Sequence, residues 1–387
     1  MKPSTKAIRP VPEATRDTRS LTIPIYETTT FVFDSADEVR AYAEGTSDKF
    51  LYSRYGNPTV AAVEQKIAAL EGADEALLFS SGQAATTTAL VALLEAGDEV
   101  VCSSAIYGGT LHLLEGVLAK FGVRSRFVTL EELSTPASLF SDATRLVWFE
   151  SPNNPTLRCV EIGPLAVACR ARGVLSAIDN TFATPINQQP ILLGVDLVMH
   201  SATKYLNGHA DITAGALAGS SALIERILAT RKKLGTVLDP AAAYALGRGL
   251  KTLAVRMERH NANALAVAGW LAQDARAGTV YYPGLDTHPD HAIARRQMNG
   301  FGGMVCVDLG SYERAARFFD SLEVISRAAS LGGVESLCSL PVLTSHWALS
   351  DEELAAAGVT PGMARLSVGL EDVDDLIADL DQALGKG

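Results

Sequence analysis

Short apolar segments alternate with helical segments through the middle of the chain, and this alternation constrains the fold most strongly. Helical patterns, such as residues 84–94, separate most of the apolar segments. Strands that alternate with helices are typical of βαβ units in a mostly parallel sheet, and uninterrupted apolar strands indicate a sheet covered on both faces. We therefore predict an α/β fold with strands at 76–79, 99–102, 146–149, 174–178, 197–200 and 214–218.

The pattern changes toward both ends of the chain, which predicts three regions. Residues 1–54 have little helical periodicity and are interrupted by prolines, so we expect an arm that lies on the main domain or on another subunit. Residues 55–246 form the large domain, whose first helix begins near Thr59 and ends at Gly72. Residues 247–387 form a smaller α/β domain, with a long helix at 249–273, a strand at 304–308 and a closing helix at 371–384.

The composition excludes several classes of function. A formal net charge of −11 argues against binding to a nucleic-acid backbone. No apolar stretch is long enough for a membrane span or resembles a secretory signal. The five cysteines form no C-x-x-C pair, which favours reduced thiols in the cytoplasm, and the histidines show no metal-ligand spacing.

Lys204 lies in the segment SATKYLNG, directly after the predicted strand that ends at His200. An amine at such a place can form a Schiff base with an aldehyde cofactor, while Ser201 and Thr203 can bind a phosphate. A surface lysine in a polar loop is the alternative for this segment alone. A second predicted strand ends at Asp179, where α/β folds place ligands, and a carboxylate there can pair with a protonated pyridine nitrogen. A helix-capping or turn aspartate is the alternative.

Three further segments fit the same chemistry. Gly82 and Gln83 begin a helix after a strand, and backbone N–H groups at such a position bind anions. Tyr107 lies beside two glycines and can stack on a planar ring, while Arg54 offers a planar fork to a phosphate. Arg365 lies in an apolar strand and needs an anion, for which a substrate carboxylate would serve. Each residue alone also has a structural explanation, such as an ion pair or a loop edge.

Taken together, these segments resemble the Cys/Met-metabolism family of pyridoxal-phosphate enzymes, which includes cystathionine γ-synthase, cystathionine γ-lyase and methionine γ-lyase. The resemblance runs from about residue 24 to the end of the chain. It rests on YSRYGNPT, SSGQAA, YGGT, ESPNNPTL, AIDNTFATP, SATKYLNGHAD, GRGLKTL, YPGL, GFGGM, SLGGVESL and RLSVGLED.

The resemblance implies an aspartate-aminotransferase-like fold of type I and a homotetramer built from two catalytic dimers. It implies that Lys204 carries pyridoxal 5'-phosphate, that Asp179 pairs with the ring nitrogen and that Tyr107 stacks on the ring. The residues implied at the phosphate are Gly82, Gln83, Ser201 and Thr203, together with Tyr52 and Arg54 of the neighbouring subunit. Those implied at the substrate are Asn154, Ser330 and Arg365.

Two positions depart from the family pattern. Gln83 replaces the usual methionine, and we expect phosphate binding to survive because the contact is made by the backbone. Gly109 replaces the cysteine that methionine γ-lyases usually carry two residues after the stacking tyrosine.

The leading prediction is γ-elimination on a sulfur amino acid, with Lys204 as the base and Tyr107 or Lys204 protonating the departing thiol. Ala329 and Leu51 stand where we expect acidic residues in cystathionine-handling relatives, which favours a substrate with an apolar distal group, as in methionine γ-lyase. Cystathionine γ-lyase and the γ-replacement enzymes, cystathionine γ-synthase and homoserine-ester sulfhydrylase, are the alternatives. A catalytically inactive binding homologue is a remote alternative, which the intact Lys204, Asp179 and Tyr107 oppose.

Overall fold

The large sheet has seven strands in the order β1-β7-β6-β5-β4-β2-β3. A computed structural model of the chain describes residues 1–9, 20–347 and 349–386. The five strands β3, β2, β4, β5 and β6 run parallel, and β7 runs antiparallel to both β6 and β1. The strands are β1 (Glu75–Phe79), β2 (Glu99–Ser103), β3 (Arg124–Val128), β4 (Thr144–Glu150), β5 (Leu175–Asp179), β6 (Leu197–His200) and β7 (Gly215–Gly219).

A second sheet of five strands, in the order β10-β11-β12-β9-β8, follows later in the chain. The α/β class and the mostly parallel main sheet are therefore confirmed, and the boundaries of the three predicted regions stay a prediction. The strands are β8 (Thr279–Tyr281), β9 (Met304–Asp308), β10 (Ser326–Arg327), β11 (Leu337–Ser339) and β12 (Met363–Ser367).

The helices cover the sheets, and the central strands of the main sheet have an apolar core on each face, one containing Trp148 and Ala177 and the other containing Phe149 and Ile178. A third and larger core joins β1 and β7 to the second sheet. None of the helices in the described part of the chain is long and apolar enough to cross a membrane. The helices before the small sheet are α1 (Pro3–Ile8), α2 (Ala36–Ala43), α3 (Pro58–Glu71), α4 (Gly82–Leu93), α5 (Gly108–Gly116), α6 (Leu130–Ser134), α7 (Ile162–Ala171), α8 (Thr184–Asn187), α9 (Ser221–Leu234), α10 (Pro240–Leu250) and α11 (Leu253–Leu271). The others are α12 (His291–Gln297), α13 (Tyr312–Ser321), α14 (Asp351–Ala356) and α15 (Val373–Lys386).

Two predictions from the sequence need correction. The arm, whose sequence shows little helical periodicity, nevertheless contains α1 and α2, and residues 10–19 of this arm lie outside the described residues. Helix α1 packs against α3 and α11, where Ala7 is buried and the Lys66 amine donates to the carbonyl of Ala7 at 2.9 Å. The long helix predicted at 249–273 begins at Leu253, because the chain first completes α10 and then turns at 251–252.

Candidate active site

The carboxyl ends of β4, β5 and β6 and the beginning of α4 meet at a cavity of about 590 Å³. Asp179 is the last residue of β5, Glu150 is the last residue of β4, and Lys204 follows the end of β6 by four residues. Parallel strands end at the same edge of a sheet, so these side chains converge as α/β folds arrange their ligand sites. Residues from the second sheet and its loops close the other side of the cavity.

The cavity brings together ten of the twelve site residues predicted from the sequence. Tyr52 and Arg54 do not line it within their own chain. The ten residues are Gly82, Gln83, Tyr107, Asn154, Asp179, Ser201, Thr203, Lys204, Ser330 and Arg365.

The Lys204 amine points into the cavity and donates a hydrogen bond to the hydroxyl of Ser330 at 2.9 Å. Burial lowers the pKa of Lys204, and the nearby positive charge of Arg365 lowers it further. A lysine with a lowered pKa is more often neutral at physiological pH, so its nitrogen is available as a nucleophile or as a base.

Two carboxylates, Asp179 and Glu150, lie side by side because their residues are partners in the β4–β5 register. Asp179 accepts a hydrogen bond from the backbone N–H of Thr181 at 2.9 Å, and Glu150 accepts one from the backbone N–H of Tyr107 at 2.6 Å. Burial raises the pKa of both groups, and the neighbouring Asp179 raises the pKa of Glu150 further. Because the pKa of Glu150 is raised further than that of Asp179, Asp179 is the favoured carrier of the negative charge in this pair.

The beginning of α4 forms an anion cradle at one end of the cavity. Ser81 caps the helix by accepting from the backbone N–H of Ala84, which leaves the N–H groups of Gly82 and Gln83 for a ligand. A Cβ atom at Gly82 would lie 2.9 Å from the Cβ of Ser201, so glycine is required for the helix to approach the segment after β6. The Thr203 hydroxyl is hydrogen-bonded to the backbone of Ala214, the residue before β7, which holds this segment against the sheet.

The two departures from the family pattern occur at residues that contact each other. The Gln83 side chain donates to the carbonyl of Gly109 at 2.9 Å. A Cβ atom at Gly109 would lie 2.5 Å from the ring of Tyr107 and 3.0 Å from the Gln83 side-chain oxygen. The Gln83 side chain therefore has the room it needs because residue 109 is a glycine. Tyr107 keeps its position beside the cavity.

Arg365 presents its guanidinium to the cavity from the middle strand of the small sheet. One terminal nitrogen donates to the Asn154 side-chain oxygen at 2.8 Å, and the other donates to the carbonyl of Ser330 at 3.3 Å. The Nε of Arg365 is buried and has no hydrogen-bond partner among the described residues. Burial lowers the pKa of Arg365, and a buried cation of this kind is completed by an anionic ligand.

Tyr52 and Arg54 lie near a different cavity, of about 370 Å³, and Arg54 lines it. The Arg54 guanidinium donates to the carbonyl of Lys232 at 2.6 Å and lies 4.7 Å from the centre of the Tyr55 ring. Tyr52 is exposed. The single chain therefore does not bring these two residues to Lys204.

Sequence reasoning did not single out Glu150 or Thr181, although both line the cavity. Glu150 ends an apolar strand just as Asp179 does, so the same signal could have identified it. Ser345, whose hydroxyl is hydrogen-bonded to His346 Nδ1 at 2.8 Å, lines the cavity from a loop that carries no such signal.

Known proteins resemble this chain over almost its whole length. The family model for the Cys/Met metabolism PLP-dependent enzymes matches residues 4–385. The L-methionine γ-lyase of Pseudomonas putida is 43% identical over 94% of this chain and 92% of that protein. The cystathionine γ-lyase of Dictyostelium discoideum is 41% identical over 99% of this chain and 97% of that protein.

A solved structure gives the same result for the fold. The cystathionine γ-lyase of Lactobacillus plantarum, in its complex with L-serine, superposes with a TM-score of 0.93 at 37% identity, covering 100% of this chain and 99% of that one. This similarity confirms the type I fold that the sequence predicted. The chain belongs to the Cys/Met metabolism family and is a pyridoxal-phosphate-dependent enzyme of sulfur amino-acid metabolism.

Proposed function

We propose that the protein catalyses γ-elimination on a sulfur amino acid whose distal group is apolar, releasing a thiol, ammonia and 2-oxobutanoate from methionine. The observation that carries this proposal is the chemistry of one cavity. Lys204 and Arg365 lie at its polar part, and Ala329, Leu331 and Leu343 contribute apolar surface to its wall. Glu150 and Asp179 are the only carboxylates that line it within the described residues, and both belong to the cofactor end.

The residues of the cavity fit pyridoxal phosphate. The cradle at the beginning of α4 suits its phosphate, Asp179 suits its ring nitrogen, and Tyr107 offers a ring on which the cofactor can stack. Lys204 supplies the amine that can bond to its aldehyde. When bound, the cofactor accepts the electrons that are released when a bond at the substrate α-carbon breaks.

The protein's own groups then place the substrate and move its protons. Arg365 would bind the α-carboxylate, because its terminal nitrogens are already oriented by Asn154 and Ser330 and its Nε remains unpaired among the described residues. The neutral amine of Lys204 would take the proton from the α-carbon, and Ser330 orients that amine. After giving up that proton, the Lys204 amine would accept a second one from the β-carbon, and Tyr107 or Lys204 would then protonate the departing sulfur.

Ala329 is the residue through which we expect the distal group to be selected. Cystathionine carries a distal ammonium and a distal carboxylate, and a site without charged partners must remove these charges from water without compensation. We therefore expect kcat/KM to be higher for methionine and homocysteine than for cystathionine. A clear preference for cystathionine in this comparison would refute the proposed specificity.

Replacing Ala329 with glutamate should raise the ratio of kcat/KM for cystathionine to that for methionine by about tenfold, since one good ionic contact contributes about 1.4 kcal/mol or more. The measurement is the release of 2-oxo acid from each amino acid. Ala329→Gln is the matched control, because it adds almost the same volume without charge and should leave the ratio nearly unchanged. Equal ratios in the two variants would contradict a role for charge at this position.

Cystathionine γ-lyase activity and γ-replacement are the alternative functions within the family. They are supported by the relatives named cystathionine γ-lyase and cystathionine γ-synthase, which are about as similar to this chain as the methionine lyases. Adding a thiol acceptor together with a homoserine ester tests replacement directly. Formation of a new thioether faster than release of 2-oxo acid would favour a γ-synthase or a sulfhydrylase.

We also propose a homotetramer of two catalytic dimers, in which residues 1–54 form an arm that reaches the neighbouring subunit. Residues of this arm after the described gap are largely exposed in the single chain, including Ile25, Tyr26 and Val32. Exposed apolar side chains of this kind are typical of an interface. The cytoplasm remains the proposed location, and the five unpaired, buried cysteines support it.

A further inference from the structure

Arg256, in the first turn of α11, is a buried cation without an ionic partner among the described residues. It is 4% exposed, and its four hydrogen bonds there all go to oxygen atoms that carry no formal charge. Burial lowers the pKa of Arg256 to about 10, so the guanidinium keeps its charge at neutral pH. A buried cation is costly unless its donors are satisfied, so the groups that accept from Arg256 indicate what it stabilises.

Two of these hydrogen bonds reach the segment of the Schiff-base lysine, residues 201–208, which we call the Lys204 turn. Arg256 Nη1 donates to the carbonyl of Tyr205 at 2.8 Å, and Nη2 donates to the carbonyl of Leu206 at 3.5 Å. Nη2 also donates to the carbonyl of Gly249, near the end of α10, at 2.9 Å. The guanidinium therefore joins the Lys204 turn to the junction between α10 and α11.

Two glycines allow this close approach. Gly208 ends the Lys204 turn with a φ of +76°, and a Cβ atom there would overlap the guanidinium of Arg256. A Cβ atom at Gly249 would overlap the carbonyl oxygen of Asn207. A side chain at either position would push the turn away from α10 and α11. The backbone on both sides is therefore shaped to enclose the guanidinium.

The opposite wall of the cavity is attached to the same helix. His260 lies one helical turn later on α11, and its Nδ1 donates to the carbonyl of Val368, directly after β12, at 2.7 Å. Burial lowers the pKa of His260 to about 4, so its ring is neutral at physiological pH. This ring also packs edge-on against the ring of Tyr205, with the centroids 5.1 Å apart. Helix α11 therefore connects the Lys204 turn with the strand that carries Arg365.

We propose that Arg256 is a positioning residue that fixes the Lys204 turn on α11, so that Lys204 and Arg365 keep the separation that proton transfer requires. This inference rests on the roles proposed above for Lys204 and Arg365. A substrate whose carboxylate is bound by Arg365 presents its α-proton at one place, and the Lys204 amine must reach that place. Arg256 does not line the cavity and acts through the backbone of the turn.

The test is the exchange of the α-proton of L-norleucine with deuterium oxide, followed by proton NMR. Norleucine has the length of methionine but no group that leaves the γ-carbon, so this measurement reports the step assigned to Lys204 without depending on γ-elimination. The rate is expressed for each occupied site, counted by the absorbance of bound pyridoxal phosphate. Loss of folded or loaded protein alone therefore leaves this rate unchanged.

Arg256→Met keeps the length of the side chain and removes its donors. The maximal exchange rate for each occupied site should fall by about 100-fold, the effect of a displacement of about 1 Å. The norleucine concentration at half-saturation should stay within about twofold, because Arg365 keeps its partners Asn154 and Ser330. Arg256→Lys retains the charge and part of the contact, so its rate should fall only about tenfold.

Arg314→Met is the matched control. Arg314 also donates to two backbone carbonyls, those of Leu309 and Arg276, but these bonds lie away from the Lys204 turn. Both methionine variants should unfold at a lower temperature than the wild type, and only Arg256→Met should lose exchange rate for each occupied site. If Arg256→Met does not fold, Arg256→Lys decides alone.

An exchange rate for each occupied site within about twofold of the wild type in a folded Arg256 variant would overturn the inference. An equal loss in Arg314→Met, or a change confined to the half-saturating concentration, would overturn it as well. In these cases normal exchange by the wild type leaves the role of Lys204 standing. If the wild type with bound cofactor exchanges no α-proton, the role proposed for Lys204 fails and the inference fails with it.

Discussion

Replacing Lys204 with alanine should lower kcat/KM for every amino-acid substrate by about 10⁴-fold or more. The variant loses the amine that bonds to the cofactor and the base that takes the α-proton, and no other lysine lines the cavity within the described residues. Covalent trapping of pyridoxal phosphate by borohydride should disappear with the activity. The purified wild-type protein should be yellow and trap the cofactor on a peptide that contains Lys204.

The fold of Lys204→Ala should survive, which separates a chemical loss from a structural one. Removing an amine that burial already disfavours in its charged form costs the folded state little, so the unfolding temperature should not fall. Lys233→Ala, which removes an exposed lysine at the end of α9, is the control and should keep full activity. If Lys204→Ala still forms the reduced covalent adduct in the same yield, another residue holds the cofactor.

The strands of the main sheet could be predicted because each is a short apolar segment bounded by turn residues. The strand that the sequence did not indicate is β3, whose segment RSRFV lies at the edge of the sheet and is only partly buried. An edge strand exposes polar side chains, so its pattern lacks the apolar run by which the central strands were recognised. The division between α10 and α11 was also missed, because both helices continue the same apolar periodicity across residues 251–252.

The sequence predicts those residues of the site that lie at the end of a strand or shortly after it. Asp179 and Lys204 come after β5 and β6, and parallel strands bring their ends together whatever the length of the intervening chain. The hydrogen bond from Arg256 to the carbonyl of Tyr205 joins residues 51 positions apart on a helix and a turn. Arg256 lies in no distinctive local pattern, so only the packing of α11 against the Lys204 turn could reveal it.

Tyr52 and Arg54 do not line the cavity of their own chain, which predicts that each active site is shared between two subunits. Arg54 is held by the carbonyl of Lys232, away from the cavity of its own chain, although its planar fork suits a phosphate. If Arg54 binds the cofactor phosphate of the neighbouring subunit, each active site takes Lys204 from one chain and Arg54 from the other. Lys204→Ala and Arg54→Ala should then each be nearly inactive alone.

Mixing these two inactive variants under conditions of subunit exchange should restore about one quarter of wild-type activity. At equal concentrations half of the dimers are hybrids, and each hybrid has one site with both defects and one site with neither. A mixture of Lys204→Ala with Asp179→Asn is the control, because both residues line the cavity of one chain and a hybrid then has two defective sites. Recovery in the first mixture and none in the second would identify a shared active site. The absence of recovery, with exchange demonstrated by mass spectrometry, would mean that Arg54 serves its own chain.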